Sequence, residues 1–157
     1  MKIEISSDLS QLNQIDSIVE RICEDYQLFD TYHGCLTMAI QEAVKNAIIH
    51  GNKMDSSKKV SVEFSLSDED ISVFVSDQGD GFDYQKEMES LSHSPKGNGL
   101  EIMKLTSDGL EFTNNGSTVE MSFNVVHHSQ YKMNEKRRAA LLDTKKQTVN
   151  QGIKRDA

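Results

Sequence analysis

The sequence predicts an α+β fold: a two-layer α/β sandwich with a mixed, mostly antiparallel sheet and helices on one face. Three observations lead to it. Five short stretches alternate apolar with polar residues, the period of a half-buried strand. Three other stretches place apolar residues at helical spacing. Consecutive strand stretches are joined by short turns, which pair strands antiparallel, and such a sheet needs a helical layer on only one face.

In chain order, Ile3 and Ile5 alternate with polar neighbours between Lys2 and Ser6 and give a first short strand. Ser7 and Asp8 offer caps to the helix that follows, and Asp8 with Gln11 three residues on fits a capping-box variant. Leu9, Leu12, Ile15, Val19, Ile22, Cys23 and Tyr26 recur at helical spacing, with Asp16, Glu20, Arg21 and Glu24 on the outer side. Asp30 caps a second predicted helix, which ends near Gly51 and Asn52. Val60, Val62, Phe64 and Leu66 form the next strand. The acidic turn Ser67-Asp68-Glu69-Asp70 returns the chain into Ile71, Val73 and Val75, completing a hairpin.

A glycine-rich run follows, Asp77-Gln78-Gly79-Asp80-Gly81-Phe82-Asp83. Residues 84–96 are polar, hold the sole proline, Pro95, and read as a loop or mobile lid. After Gly97-Asn98-Gly99, the residues Leu100, Ile102, Met103 and Leu105 take helical spacing again. Leu110 and Phe112 begin another strand, Asn114-Asn115-Gly116 is a turn signal, and Val119, Met121, Phe123 and Val125 make the last strand.

A chain of 157 residues suits one domain with a sizeable core. That domain is expected over residues 1–126. Over 127–157 the alternation stops, and a basic tail, flexible or helical, is expected. From Ser129 onward eight Lys or Arg stand against three Asp or Glu, leaving nine against 22 in the rest of the chain. So acidic a body argues against nucleic acid as a direct partner. No run approaches the length of a membrane span, and charge interrupts the start Met-Lys-Ile-Glu-Ile too early for a signal peptide. Cys23 and Cys35, at apolar helix positions and without metal-site spacing, read as buried free thiols. A cytoplasmic location is expected.

The second helix carries the polar residues that ask for an explanation. Glu42, Asn46 and His50 are spaced four apart and line up on one helical face. Leu36, Met38, Ala39, Ile40, Ala43, Val44, Ala47, Ile48 and Ile49 surround them, and Thr37, Gln41 and Lys45 supply the solvent side. A carboxylate and an amide in so apolar a helix are costly unless satisfied, either by an internal hydrogen-bond network or by a ligand with a metal ion. His50, at the helix end, reads as a structural residue. Two glycine elements favour the ligand. Asp77-x-Gly79-x-Gly81 follows a strand, where glycines admit close approach to the backbone. Gly97-x-Gly99-Leu100 precedes a helix whose first N–H groups suit phosphates. The P-loop, the dinucleotide fingerprint and the protein-kinase signatures are all missing.

In this order the motifs resemble the GHKL ATPase superfamily. Glu42-x-x-x-Asn46-Ala47-x-x-His50-Gly51 is similar to its N box, Asp77-x-Gly79-x-Gly81-Phe82 to its first glycine box, and Gly97-x-Gly99-Leu100 to its second. Gly116-Ser117-Thr118-Val119 is similar to the late Gly-Thr element, with Ser117 where the family usually has Thr. The likeness spans roughly Lys2 to Val126 and implies the histidine-kinase-like ATPase fold. Too little chain precedes the N box for the phosphoacceptor helices of a sensor kinase, and a polar tail cannot replace a transducer domain. The branch that remains resembles the bacterial anti-sigma-factor serine/threonine kinases.

The resemblance implies roles for individual residues. Glu42 would be the general base toward a partner's hydroxyl, and Asn46 would hold Mg²⁺ on the ATP phosphates. Asp77 would accept from the exocyclic amine of adenine, with Gly79 and Gly81 beside base and ribose. Lys96, Gly97, Gly99 and Leu100 would meet the phosphates, and Ser117 or Thr118 would place a hydroxyl near adenine. The implied function is phosphorylation of a small antagonist protein and sequestration of a sigma factor, with a homodimer as a further implication. The alternative is a nucleotide-binding module that captures partners without kinase activity.

Overall fold

Apolar alternation becomes a sheet of five strands among the described residues: β1 (Lys2–Ser6), β2 (Lys59–Leu66), β3 (Asp70–Ser76), β4 (Gly109–Thr113) and β5 (Thr118–Asn124). The computed structural model describes residues 1–28, 30–93, 98–125 and 136–142. The strand order is β1-β2-β3-β5-β4. The sequence suggested a mixed, mostly antiparallel sheet; every pairing here is antiparallel. Register fixes which face is buried. Ile3 lies opposite Val62, Val62 opposite Val75, Val75 opposite Val119, and Val119 opposite Phe112, so one apolar row crosses the whole sheet. The next row on the same face contains Phe64, Val73, Met121 and Leu110. Lys2, Glu63, Phe74, Glu120 and Glu111 form a row on the opposite face.

The helical layer holds α1 (Leu12–Asp25), α2 (Asp30–Asn46), α3 (Tyr84–His93) and α4 (Gly99–Thr106). The central helix is α2, packed against α1 on one side, α4 on the other and the sheet beneath. Leu36, Ala39, Ile40, Ala43 and Val44 are buried along it. A fully buried Leu or Ile side chain contributes about 1.5–3 kcal/mol, so this stripe anchors the layer. Gln41 Nε2 also donates to Asp16 Oδ1 at 2.5 Å, joining α2 to α1.

Several expectations change in detail. Met38, grouped with the core residues of α2, is 50% exposed, and Ile49 is exposed as well. Asp30 is the first residue of α2 rather than its cap. Asp8 caps a short 3-10 helix, Leu9–Gln11, accepting from the Ser10 N–H at 2.8 Å. Gln11 Oε1 accepts from Gln14 instead of reaching back, so the capping box does not close. Cys23 is buried, and burial, with Asp30 adding to it, pushes its thiol up to about 11; Cys35 is only partly buried. The expected lid contains a helix, α3, because Tyr84, Met88 and Leu91 pack against the core from one of its faces. Residues 136–142 are helical with every side chain exposed; the rest of the expected tail, 127–135 and 143–157, lies outside the described residues. No described helix is long and apolar enough to cross a membrane.

Candidate nucleotide site

Glu42 and Asn46 stand one turn apart near the C-terminal end of α2, as the spacing requires. His50 follows in the next turn, beyond the end of α2. Ala47–Gly51 winds as a π turn, closed by the Asn52 N–H donating to the Ala47 carbonyl at 2.7 Å. Asn46 and His50 both line the cleft across this wider turn. His50 is exposed at the cleft rim instead of buried in support. Lys45 Nζ donates to Glu42 Oε1 at 2.7 Å. The other carboxylate oxygen lies against the first turn of α4, where a Cβ on Gly99 would come 2.5 Å from it.

Asn98 caps α4, its side chain accepting from the Glu101 N–H at 3.0 Å. The Gly99 and Leu100 N–H groups belong to the first turn and find no protein acceptor among the described residues, which leaves them open to an anion.

Asp77 directly follows β3, its N–H donating to the Ser117 carbonyl at 3.0 Å and its Oδ1 accepting from the Gly79 N–H at 2.8 Å. Burial raises the carboxyl above its ordinary value, opposed by the Gly79 N–H and more weakly by Lys58 and Lys53. The turn after Asp77 is pressed against the end of α2. A Cβ on Gly51 would run into the Asp77 carboxylate, and one on Gly79 into the Gly51 carbonyl. Gly81 has φ 80° and lies under Asn115, so both its conformation and its surroundings require glycine.

These elements enclose a cleft of about 480 Å³, the size of a small-molecule site. Asn46, Asp77, Gly81, Gly99, Leu100 and Ser117 line it together. Glu42 stands beside it over Gly99, and Gly79 lies behind Asp77. Thr118 is outside the lining, its hydroxyl 3.0 Å from that of Ser76. Lys96 and Gly97 lie outside the described residues. The Asn46 side chain has no protein partner among the described residues, which fits an oxygen donor waiting for a cation.

Other lining residues escaped the sequence reading. Ala43, Ala47, Val75, Met103 and Val119 supply an apolar floor, and Phe82 and Phe112 a wall, their rings edge to face at 5.4 Å. Lys53 lines the cleft too. The floor residues were legible only as core; Lys53, just past Gly51-Asn52, gave no signal beyond its nearness.

Comparison with known proteins identifies the family of the chain. Residues 5–123 match the family described as the histidine kinase-like ATPase domain. The anti-sigma F factor of Clostridium perfringens (strain SM101 / Type A) is 30% identical over 116 residues, covering 70% of this chain and 73% of that protein. The serine-protein kinase RsbW of Bacillus subtilis (strain 168) is 34% identical over 98 residues, covering 55% of this chain and 61% of that one. Among solved structures, the RsbU and RsbW domains of Rv1364c from Mycobacterium tuberculosis superpose with a TM-score of 0.59 at 16% identity. That match covers 80% of this chain and 32% of the other, and shows the fold alone. With the three glycine-containing elements and the Glu42–Asn46 helix on one cleft, the chain belongs to the histidine kinase-like ATPase domain family, of the GHKL type.

Proposed function

We propose that the chain is an ATP-dependent protein-serine/threonine kinase of the anti-sigma-factor type. It phosphorylates a small antagonist protein and sequesters a sigma factor or similar regulator in the cytoplasm. The observation that carries this reading is the meeting of the Glu42 carboxylate with the first turn of α4, beside a cleft that Asp77 also lines. On this reading Glu42 is the base beside the phosphate-binding turn, and Asp77, on the same cleft, is the acceptor for an adenine amine.

Glu42 takes the proton of the partner's hydroxyl as its oxygen bonds to the γ-phosphorus of ATP. The bond from that phosphorus to the β–γ bridging oxygen breaks, and ADP leaves. Gly99 and Leu100 donate N–H groups to the phosphates, and the α4 N-terminus favours their negative charge. Asp77 accepts from the exocyclic amine of adenine, which selects ATP over GTP, while Phe82 and the apolar floor shield the base. Asn46 would hold Mg²⁺, which when bound supplies charge neutralisation on the phosphates.

The test is phosphotransfer from Mg²⁺-ATP to a co-encoded small antagonist protein, comparing the natural chain with Glu42→Gln. The variant is expected to bind ATP and to transfer about a hundredfold more slowly or worse. Undiminished transfer overturns the assignment. A second reading, nucleotide-dependent partner capture without transfer, draws on the Lys45–Glu42 pair, which occupies one oxygen of the base. ATP binding by the natural chain with no phosphate reaching the antagonist would favour it.

A further inference from the structure

Asn52 is fully buried, and with Ser7 it forms the buried polar set of the described residues. A buried amide is costly unless each of its groups is bonded, and here each one is. Nδ2 donates to Ser7 Oγ at 2.8 Å and to the Lys59 carbonyl at 2.9 Å. Oδ1 accepts from the Gln78 N–H at 2.7 Å. The backbone N–H closes the π turn on Ala47, and the backbone carbonyl accepts from the Asp55 N–H at 3.1 Å. One residue thus joins the π turn after α2, the residue after β1, the start of β2 and the turn after β3.

The bond to Gln78 is the one that reaches the cleft. Gln78 follows Asp77 directly, and its own side chain is occupied in accepting from the Lys59 N–H at 2.6 Å. The backbone around Asp77 is therefore pinned at two amides, its own on Ser117 and the next on Asn52.

We propose that Asn52 is a positioning residue for Asp77: by holding the Gln78 amide it fixes the turn from which the Asp77 carboxylate reads the exocyclic amine of a purine nucleotide. The proposal rests on the reading of Asp77 given above. Asn52 touches no nucleotide and acts only through this turn. Ser7 provides the control, because it bonds to Asn52 Nδ2 and to the Lys58 carbonyl but not to Gln78.

The experiment titrates the full chain, in Mg²⁺, with ATP and with inosine triphosphate, which carries an oxygen in place of the amine. The natural chain is compared with Asn52→Ala, Ser7→Ala and Asp77→Asn, with a thermal melt of each. Both Asn52→Ala and Ser7→Ala are expected to melt earlier. The preference for ATP over inosine triphosphate should fall about tenfold or more in Asn52→Ala, as in Asp77→Asn, and persist in Ser7→Ala. A preference kept in Asn52→Ala but lost in Asp77→Asn overturns the proposal. If Asp77→Asn keeps the preference, the amine reading fails, and ATP affinity alone decides the positioning role. Weaker binding by Asn52→Ala than by Ser7→Ala then supports it, and equal binding overturns it. Should Asn52→Ala fail to fold, Asn52→Ser, too short to reach Gln78, is judged by the same outcomes.

Discussion

At the scale of single residues, Asp77 combines a cost to the fold with a proposed use. Its carboxyl sits above its ordinary value of 3.8 because burial outweighs the Gly79 N–H and the two lysines. The folded chain therefore keeps this proton to higher pH than the unfolded chain does. The stability tied to the group is fully present below 3.8 and is lost as pH rises through the raised value. At neutral pH the ionised carboxylate weighs against folding. Asp77→Asn, which keeps an oxygen for the Gly79 N–H, should raise the melting temperature of the nucleotide-free chain at neutral pH. Below pH 3.8 that gain should vanish, and ATP binding should be weakened about tenfold or more throughout. Melts across pH, paired with ATP titrations, check both halves. Glu42, Asn46 and Asp77 were legible in the sequence because costly residues stood in apolar or glycine-rich settings. Asn52 was not, since nothing in a Gly-Asn pair distinguishes a buried four-way junction from a solvated turn.

At the scale of elements, α2 shows what a pattern reveals and what it hides. Its buried stripe follows from spacing alone, as do the alternating strands. The π turn at its end does not, because a change of winding leaves no mark on apolar periodicity, and neither does the exposure of His50 at the cleft. The α3 helix was missed although Tyr84, Met88 and Leu91 stand at helical intervals; seven polar neighbours masked three contacts. Two glycines of this region make opposite predictions. Gly34 lies inside α2, and a Cβ there would meet nothing within 4 Å. Gly34→Ala should stabilise the chain by about 0.5–1 kcal/mol through lower unfolded-state entropy, and leave ATP affinity unchanged. Gly51→Ala drives a methyl group into the Asp77 carboxylate. It should weaken ATP binding about tenfold or more, with a drop in the denaturant midpoint typical of an overpacked contact, about 1–3 kcal/mol. Denaturant unfolding and ATP titration of the pair separate a general helix effect from one at the cleft.

At the scale of the whole molecule, the core and the site share one stretch of chain. The buried apolar cluster runs from Ile5 to Val125, and every described residue lining the cleft falls between Ala43 and Val119. The helix at 136–142 adds no buried side chain to it, since Leu141 and Leu142 are 66% and 55% exposed. We therefore propose residues 1–126 as the complete ATP-binding unit and 127–157 as a separate basic segment. A chain ending at residue 126 loses the positive excess of its last part and leaves the acidic body alone, so charge repulsion within the body is the one term expected to shift. Exposed charges are screened beyond about 8 Å at physiological salt, which keeps that term small. The truncated chain should unfold within about 0.5 kcal/mol of the full chain, the range of changes at exposed surface, and bind ATP equally well. Denaturant unfolding at physiological and at low salt, with ATP titration, measures this. A larger loss of stability that appears only at low salt would mean that the basic segment rests on the acidic body. A loss of ATP affinity at either salt would place part of the nucleotide site beyond residue 126.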